Sequence, residues 1–140
     1  HEARSERLAE DVCTRLKVPG ECRDLALMTA REHGNVGRSF EMRPDTLVKF
    51  FARCDAFRKP QRFVDMLRAS ECDHRGRTGL ELQPFPQAAY LEGALQAAQA
   101  IDAGAIAQQQ AQPQRIPEAI LAARTAQVAA YVEQHRPAQS

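Results

Sequence analysis

The sequence predicts an all-α protein, a multi-helix bundle of about six helices. Three observations predict it. Apolar residues recur at helical spacing nearly everywhere, and no segment alternates as a half-buried strand does. Pro44, Pro60, Pro86 and Pro117 each stand at the head of an apolar-periodic stretch, where a helix has no use for the missing N–H. The second half is rich in Ala, whose small faces permit close helix packing.

A first helix is expected over 2–17, with Leu8, Val12, Cys13 and Leu16 on one face. Arg4, Arg7, Glu10, Asp11 and Arg15 form the other face, and Pro19-Gly20 ends the element. A second helix runs from about 21 to 33, turning Cys22, Leu25, Ala26 and Met28 or Thr29 inward. Gly34 and Gly37 are expected to break it. Pro44 opens a third helix with Leu47, Phe50, Phe51 and Cys54 as its apolar face. Pro60 opens a fourth, with Phe63, Met66, Leu67 and Ser70 or Cys72 inward and Gly76 as its stop. Pro86 starts a fifth, about 87–102, with Leu91, Ala94, Leu95, Ala98 and Ile101 on one stripe. A short helical turn near 103–110 follows. Pro117 opens the last helix, about 117–134, carrying Ile120, Leu121, Ala123 or Arg124, Val128 and Tyr131 inward.

The loop from Arg75 to Pro86 is a composition boundary. Residues 1–81 hold 16 of the 19 basic and 14 of the 18 acidic side chains, whereas 82–140 carry only seven charges. The chain therefore divides into a charged part, 1–78, and an Ala-rich helical part, 79–140. The net charge of +1 argues against holding nucleic acid by bulk charge, but leaves room for a local basic stripe. No apolar run approaches the roughly 20 residues needed to span a bilayer, so no membrane partner is expected. The chain opens on His1 rather than Met, and we read it as a piece of a longer cytoplasmic protein. The four Cys, at 13, 22, 54 and 72, lack CxxC spacing and each falls on an apolar helical side. They are expected to be free thiols in a reduced core.

Two stretches could carry chemistry. From Lys49 to Phe63, five cations surround the single carboxylate of Asp55. Arg58, Lys59 and Arg62 cluster where one helix ends and the next begins. This is either a phosphate seat, since helix N-termini present free N–H groups to anions, or a solvated surface over core Phe residues. The run Asp73-His74-Arg75-Gly76-Arg77-Thr78-Gly79 sets two Arg in a Gly-containing turn. They could grip phosphates bidentately, or pair with Asp73 and cap a helix. His1, His33 and Asp55 are the candidate metal set, as imidazole and carboxylate suit a divalent ion that activates water. A lone His at a helix end is more often a cap or a surface residue.

Several segments together resemble one family. Val18-Pro19-Gly20-Glu21-Cys22-Arg23-Asp24-Leu25-Ala26 is similar to the V-P-x-E-x-R-D-L-A helix start of bacterial multifunctional CCA proteins, the HD-domain-containing tRNA nucleotidyltransferases. Asp55-Ala56-Phe57-Arg58-Lys59-Pro60-Gln61-Arg62 resembles that family's D-A-x-R-K-P-x-R, and Asp73 to Gly79 its D-x-R-G-R-T-G. Pro84-Phe85-Pro86-Gln87 with Tyr90-Leu91 resembles the Y-P-Q segment that follows. Order and spacing hold from about residue 1 to 100.

The resemblance implies a C-terminal portion. Residues 1–78 would be the second part of an HD domain with basic helices, and 79–140 a tRNA-contacting tail. It implies tRNA as partner, held at the acceptor stem and T arm, with Arg58, Lys59, Arg62, Arg75 and Arg77 as RNA-binding residues. CTP and ATP would act through a head that this chain lacks. It also implies a metal-dependent phosphohydrolase acting on 2′,3′-cyclic and 2′-phosphates, with a divalent ion of the Mg or Ni, Mn or Co type. His1, His33 and Asp55 match its ligands, but the His-Asp dipeptide would lie upstream, so the chain alone is expected to be inactive. Many HD proteins place the closing carboxylate three residues earlier, where this chain has Ala52. The family's tail usually turns on G-x-x-G, and no Gly stands between Gln110 and Pro117 here. A homodimer is compatible with the resemblance. The alternative from the residues alone is a non-catalytic helical scaffold or dimerisation module.

Overall fold

The computed structural model describes residues 2–16, 20–76, 79 and 82–137, with side chains in all of these except 12–16. Among them the fold is all-α: seven α-helices, two 3-10 turns and no strand. The helices are α1 (Glu2–Leu16), α2 (Gly20–Gly37), α3 (Pro44–Arg53), α4 (Pro60–Arg75), α5 (Pro86–Gln99), α6 (Ala103–Gln108) and α7 (Ile116–His135). The 3-10 turns, Ser39–Glu41 and Pro113–Arg115, were not foreseen. Pro44, Pro60 and Pro86 each occupy the first position of their helix, and Pro117 the second of α7.

Gly34 does not break α2, whereas Gly37 is where it stops. Burial of Val36, fully enclosed, and of Met28 and Glu32 on the same i, i+4 stripe outweighs the roughly 1 kcal/mol that a mid-helix Gly costs. Gly34 also serves packing, because a Cβ there would collide with the Glu2 carboxylate on the neighbouring α1. Gly76 caps α4 as expected, its N–H reaching the Cys72 carbonyl at 2.8 Å, but its φ of −72° is right-handed.

α2 and α4 pack side by side and run parallel. Asp24 and Arg62, near their starts, meet at 4.0 Å, and His33 and Asp73, near their ends, line one cleft. α3 and α5 both pack on α7. The apolar side of α3 is buried as expected, with Leu47, Phe50, Phe51 and Cys54 at most 1% exposed. Phe63 completes an aromatic cluster, its ring 5.6 Å from Phe50 and 5.4 Å from Phe51. Leu91, Ala94, Leu95 and Ala98 are buried, and Ile101 is only half-buried because α5 stops at Gln99. Phe85, Tyr90, Leu91, Val128 and Val132 join the same buried cluster as Met28, Phe50 and Phe63. Side chains from both sides of the 78/79 boundary thus share one core.

Three inward expectations are corrected. Cys22 and Cys72 are exposed, and only Cys54 among the described cysteines is buried. On α4 the core position belongs to Ser70, whose hydroxyl donates to the Met66 carbonyl at 2.9 Å and so needs no water. Leu8 is 55% exposed. α1 packs chiefly on α2. Val12, Cys13 and Leu16 lie outside the described side chains.

Candidate nucleic-acid interface

The turn between α3 and α4 carries three of the candidate RNA-binding residues, and the backbone accounts for its shape. α3 ends in a Schellman motif. The Ala56 N–H donates to the Phe51 carbonyl at 2.9 Å, and the Asp55 N–H to the Ala52 carbonyl at 3.0 Å. Asp55 is the left-handed residue of that motif, with φ 57°. Among non-glycine residues Asp tolerates this region well, because its short polar side chain bonds locally. The hydrophobic contact that accompanies such a cap is supplied by Ala56 and Phe51, both fully buried.

Behind the turn, Arg124 of α7 lies over the Phe57 ring, its guanidinium carbon 3.7 Å from the centroid. Burial pulls Arg124 below its ordinary pKa. In front, Asp55 is ion-paired with two cations. Arg58 Nε lies 3.0 Å from Oδ1, and an Arg62 terminal nitrogen lies 3.8 Å from Oδ2. Arg62 also reaches Asp24 on α2. Arg58 is 76% exposed, and Lys59, exposed at the head of α4, has no ion pair among the described residues. The turn therefore presents Lys59, unpaired among the described residues, beside the exposed but Asp55-paired Arg58.

The second cluster is not joined to the first. Arg75 is at the far end of α4, paired with Glu71 at 3.0 Å across one helical turn. Arg77 lies outside the described residues. The candidate metal residues are separated too. His33 is at the end of α2 with Nδ1 3.1 Å from the Thr29 and Ala30 carbonyls, and it shares clefts with Asp73 and, on one side, His74. Asp55 is tied through Arg62 to Asp24 at the start of α2. His33 lies nine residues beyond Asp24, about 14 Å along the helix. No group of three potential ligands is assembled among the described residues, and His1 lies outside them. His33 and Asp55 are thus set apart, Asp55 being linked to the start of α2 and His33 lying near its end.

Sequence reasoning missed one buried ionic site. Glu32, 2% exposed, accepts from Arg53 at 3.0, 3.1 and 3.2 Å in a forked arrangement. The signal was available, because Glu32 falls four residues after Met28 and four before Val36, on an apolar stripe. Cys54 Sγ lies 3.6 Å from the same carboxylate. Burial, reinforced by Glu32, pushes the Cys54 thiol from 9.0 up to about 12. The folded chain thus holds this proton more tightly than the unfolded one, and stability falls as pH rises from 9.0 towards about 12. At mildly alkaline pH iodoacetamide is expected to modify Cys22 and Cys72 in the native chain and to leave Cys54 intact until denaturant is added. Peptide mass spectrometry reads this directly.

No family model matches the chain, and no solved structure matches it. Curated relatives do. A multifunctional CCA protein from Herminiimonas arsenicoxydans is 62% identical over 134 residues, covering 92% of this chain and 32% of the relative. One from Janthinobacterium sp. (strain Marseille) is 62% identical over 135 residues, covering 93% and 32%. One from Burkholderia mallei (strain SAVP1) is 55% identical over 130 residues, covering 92% and 32%. The chain spans about a third of the length of the curated relatives it matches. No described helix is long and apolar enough to cross a membrane. With four family-like segments in order and this level of identity over nearly its whole length, the chain belongs to the multifunctional CCA proteins.

Proposed function

We propose that this chain is the C-terminal, tRNA-binding portion of a CCA-adding tRNA nucleotidyltransferase. The observation that carries the reading is the 62% identity to multifunctional CCA proteins over 134 residues. The braced cationic turn at Arg58 and Lys59 supports it. A-form RNA offers a regular phosphate backbone and a shallow minor groove, so it is recognised by shape and backbone contact. A rigid edge with exposed cations suits that task, because it loses little side-chain freedom on binding. The edge would take backbone phosphates of the acceptor stem and T arm, with Arg75 and Arg77 as a second contact further along α4. Nucleotide addition from CTP and ATP would belong to parts of the protein outside this chain. For the divalent-metal phosphohydrolase activity that the sequence resemblance implies, this chain would offer His33 and Asp55, of which Asp55 is here paired with Arg58 and Arg62. No hydrolytic step is assigned to that set.

The test is a titration of a tRNA acceptor/T-arm minihelix by fluorescence anisotropy at several salt concentrations. Affinity should fall steeply with salt, by about 0.7–0.9 in logarithmic slope per phosphate neutralised. The double variant Arg58→Glu/Lys59→Glu should bind about tenfold or more weakly and show a shallower slope. Unchanged binding in that variant would remove the turn from the interface. A wild-type chain that ignores the minihelix at low salt but self-associates in sedimentation would favour the scaffold reading, for which exposed Leu8 is the supporting feature.

A further inference from the structure

The left-handed position that ends a helix is the place where Gly is least strained, yet here it is Asp55. What Asp adds over Gly is a carboxylate, and that carboxylate faces Arg58 and Arg62. The site is largely open to water. Arg58 is 76% exposed and the Asp55 side chain 33%, so the pair is of the weak, exchangeable kind. Arg62 keeps its second partner, Asp24, whatever happens at Asp55. Lys59 stands beside them, exposed. His33 lies at the opposite end of the α2–α4 pair.

We infer that Asp55 is a placeholder for phosphate. In the free chain its two oxygens hold Arg58 and Arg62 in place. On binding, a phosphodiester group of the RNA takes over Arg58 and shares Arg62, because a guanidinium donates as readily to phosphate as to carboxylate. The exchange costs little, because the arginines are already positioned and a weak surface pair is all that is given up. Asp55 is thus a positioning residue that also discourages casual binding of other anions. The RNA half of this inference rests on the function proposed above, while the exchange itself can be tested on any polyanion.

Asp55→Asn removes the charge and keeps a residue that tolerates the left-handed backbone, and Asp55→Gly does the same with no side chain. Glu133→Gln, at an exposed residue of α7 with no ion pair among the described residues, controls for the bare change of one charge. On a heparin column Asp55→Asn and Asp55→Gly should elute at higher salt than both wild type and Glu133→Gln. Minihelix affinity at low salt should rise about fivefold in Asp55→Asn, and the gain should vanish in Asp55→Asn/Arg58→Ala. A heparin shift no larger than that of Glu133→Gln would overturn the inference, as would a gain that survives loss of Arg58. If no form binds the minihelix but Asp55→Asn still gains on heparin, the tRNA reading fails and the placeholder role stands.

Discussion

Replacing Arg53 with Ala lowers the stability of the folded chain by about 3 kcal/mol, because it leaves the Glu32 carboxylate inside the fold without its partner. Glu32 is 2% exposed and accepts three contacts of 3.0–3.2 Å from this one guanidinium. Its remaining neighbours are the Asn35 amide at 3.1 Å and the Cys54 thiol, which do not neutralise a charge. The loss falls at the low end of the range for breaking buried pairs, since the Arg53 side chain is half exposed and its removal lets water approach. The reverse change is milder. Glu32→Gln keeps the shape and much of the hydrogen bonding, and Arg53 retains water on its outer side, so a loss of about 1 kcal/mol is expected. Urea unfolding of the two variants decides the matter. Equal losses would mean that the pair acts as an ordinary surface bridge.

The largest core effect is expected at Phe51. Its side chain is fully buried, with ring centroids of Phe50, Phe57 and Phe63 at 6.1, 6.2 and 5.4 Å. It also packs beneath Ala56 at the cap of α3. Phe51→Ala should cost about 3–5 kcal/mol, and the loss of edge-to-face contacts pushes it towards the upper figure. That is a large share of the roughly 5–15 kcal/mol that holds a domain together. The variant should therefore melt far below wild type or fail to fold. Phe51→Leu, which keeps most of the volume, should cost about 1–2 kcal/mol. The same changes should loosen the Asp55 turn, because the Schellman bond from Ala56 ends on the Phe51 carbonyl. Faster amide exchange at Ala56 in Phe51→Leu than elsewhere in α3 would show that coupling. Uniform exchange would separate the core from the turn.

Periodicity and proline placement determined by themselves that the chain is helical, where α3, α4 and α5 begin, and which face of α3 is buried. These are local properties. A 3.6-residue repeat and a missing N–H act within one turn of chain, so they can be read one segment at a time. The family, too, was legible in the four ordered segments, and so was the cationic character of the α3–α4 junction. What only the tertiary structure decided is how charges are paired. Asp55, a candidate metal ligand in the sequence, also ends α3 and is paired with two arginines. Glu32, left unassigned by the sequence, is a buried anion, and Cys22 and Cys72 looked like core and face water. Gly34 looked like a break and is a contact point between two helices. In each case the deciding partner comes from another element: Arg62 for Asp55, Arg53 for Glu32, Glu2 for Gly34. Burial and Coulomb energy depend on distance in space, and a sequence orders residues only by distance along the chain.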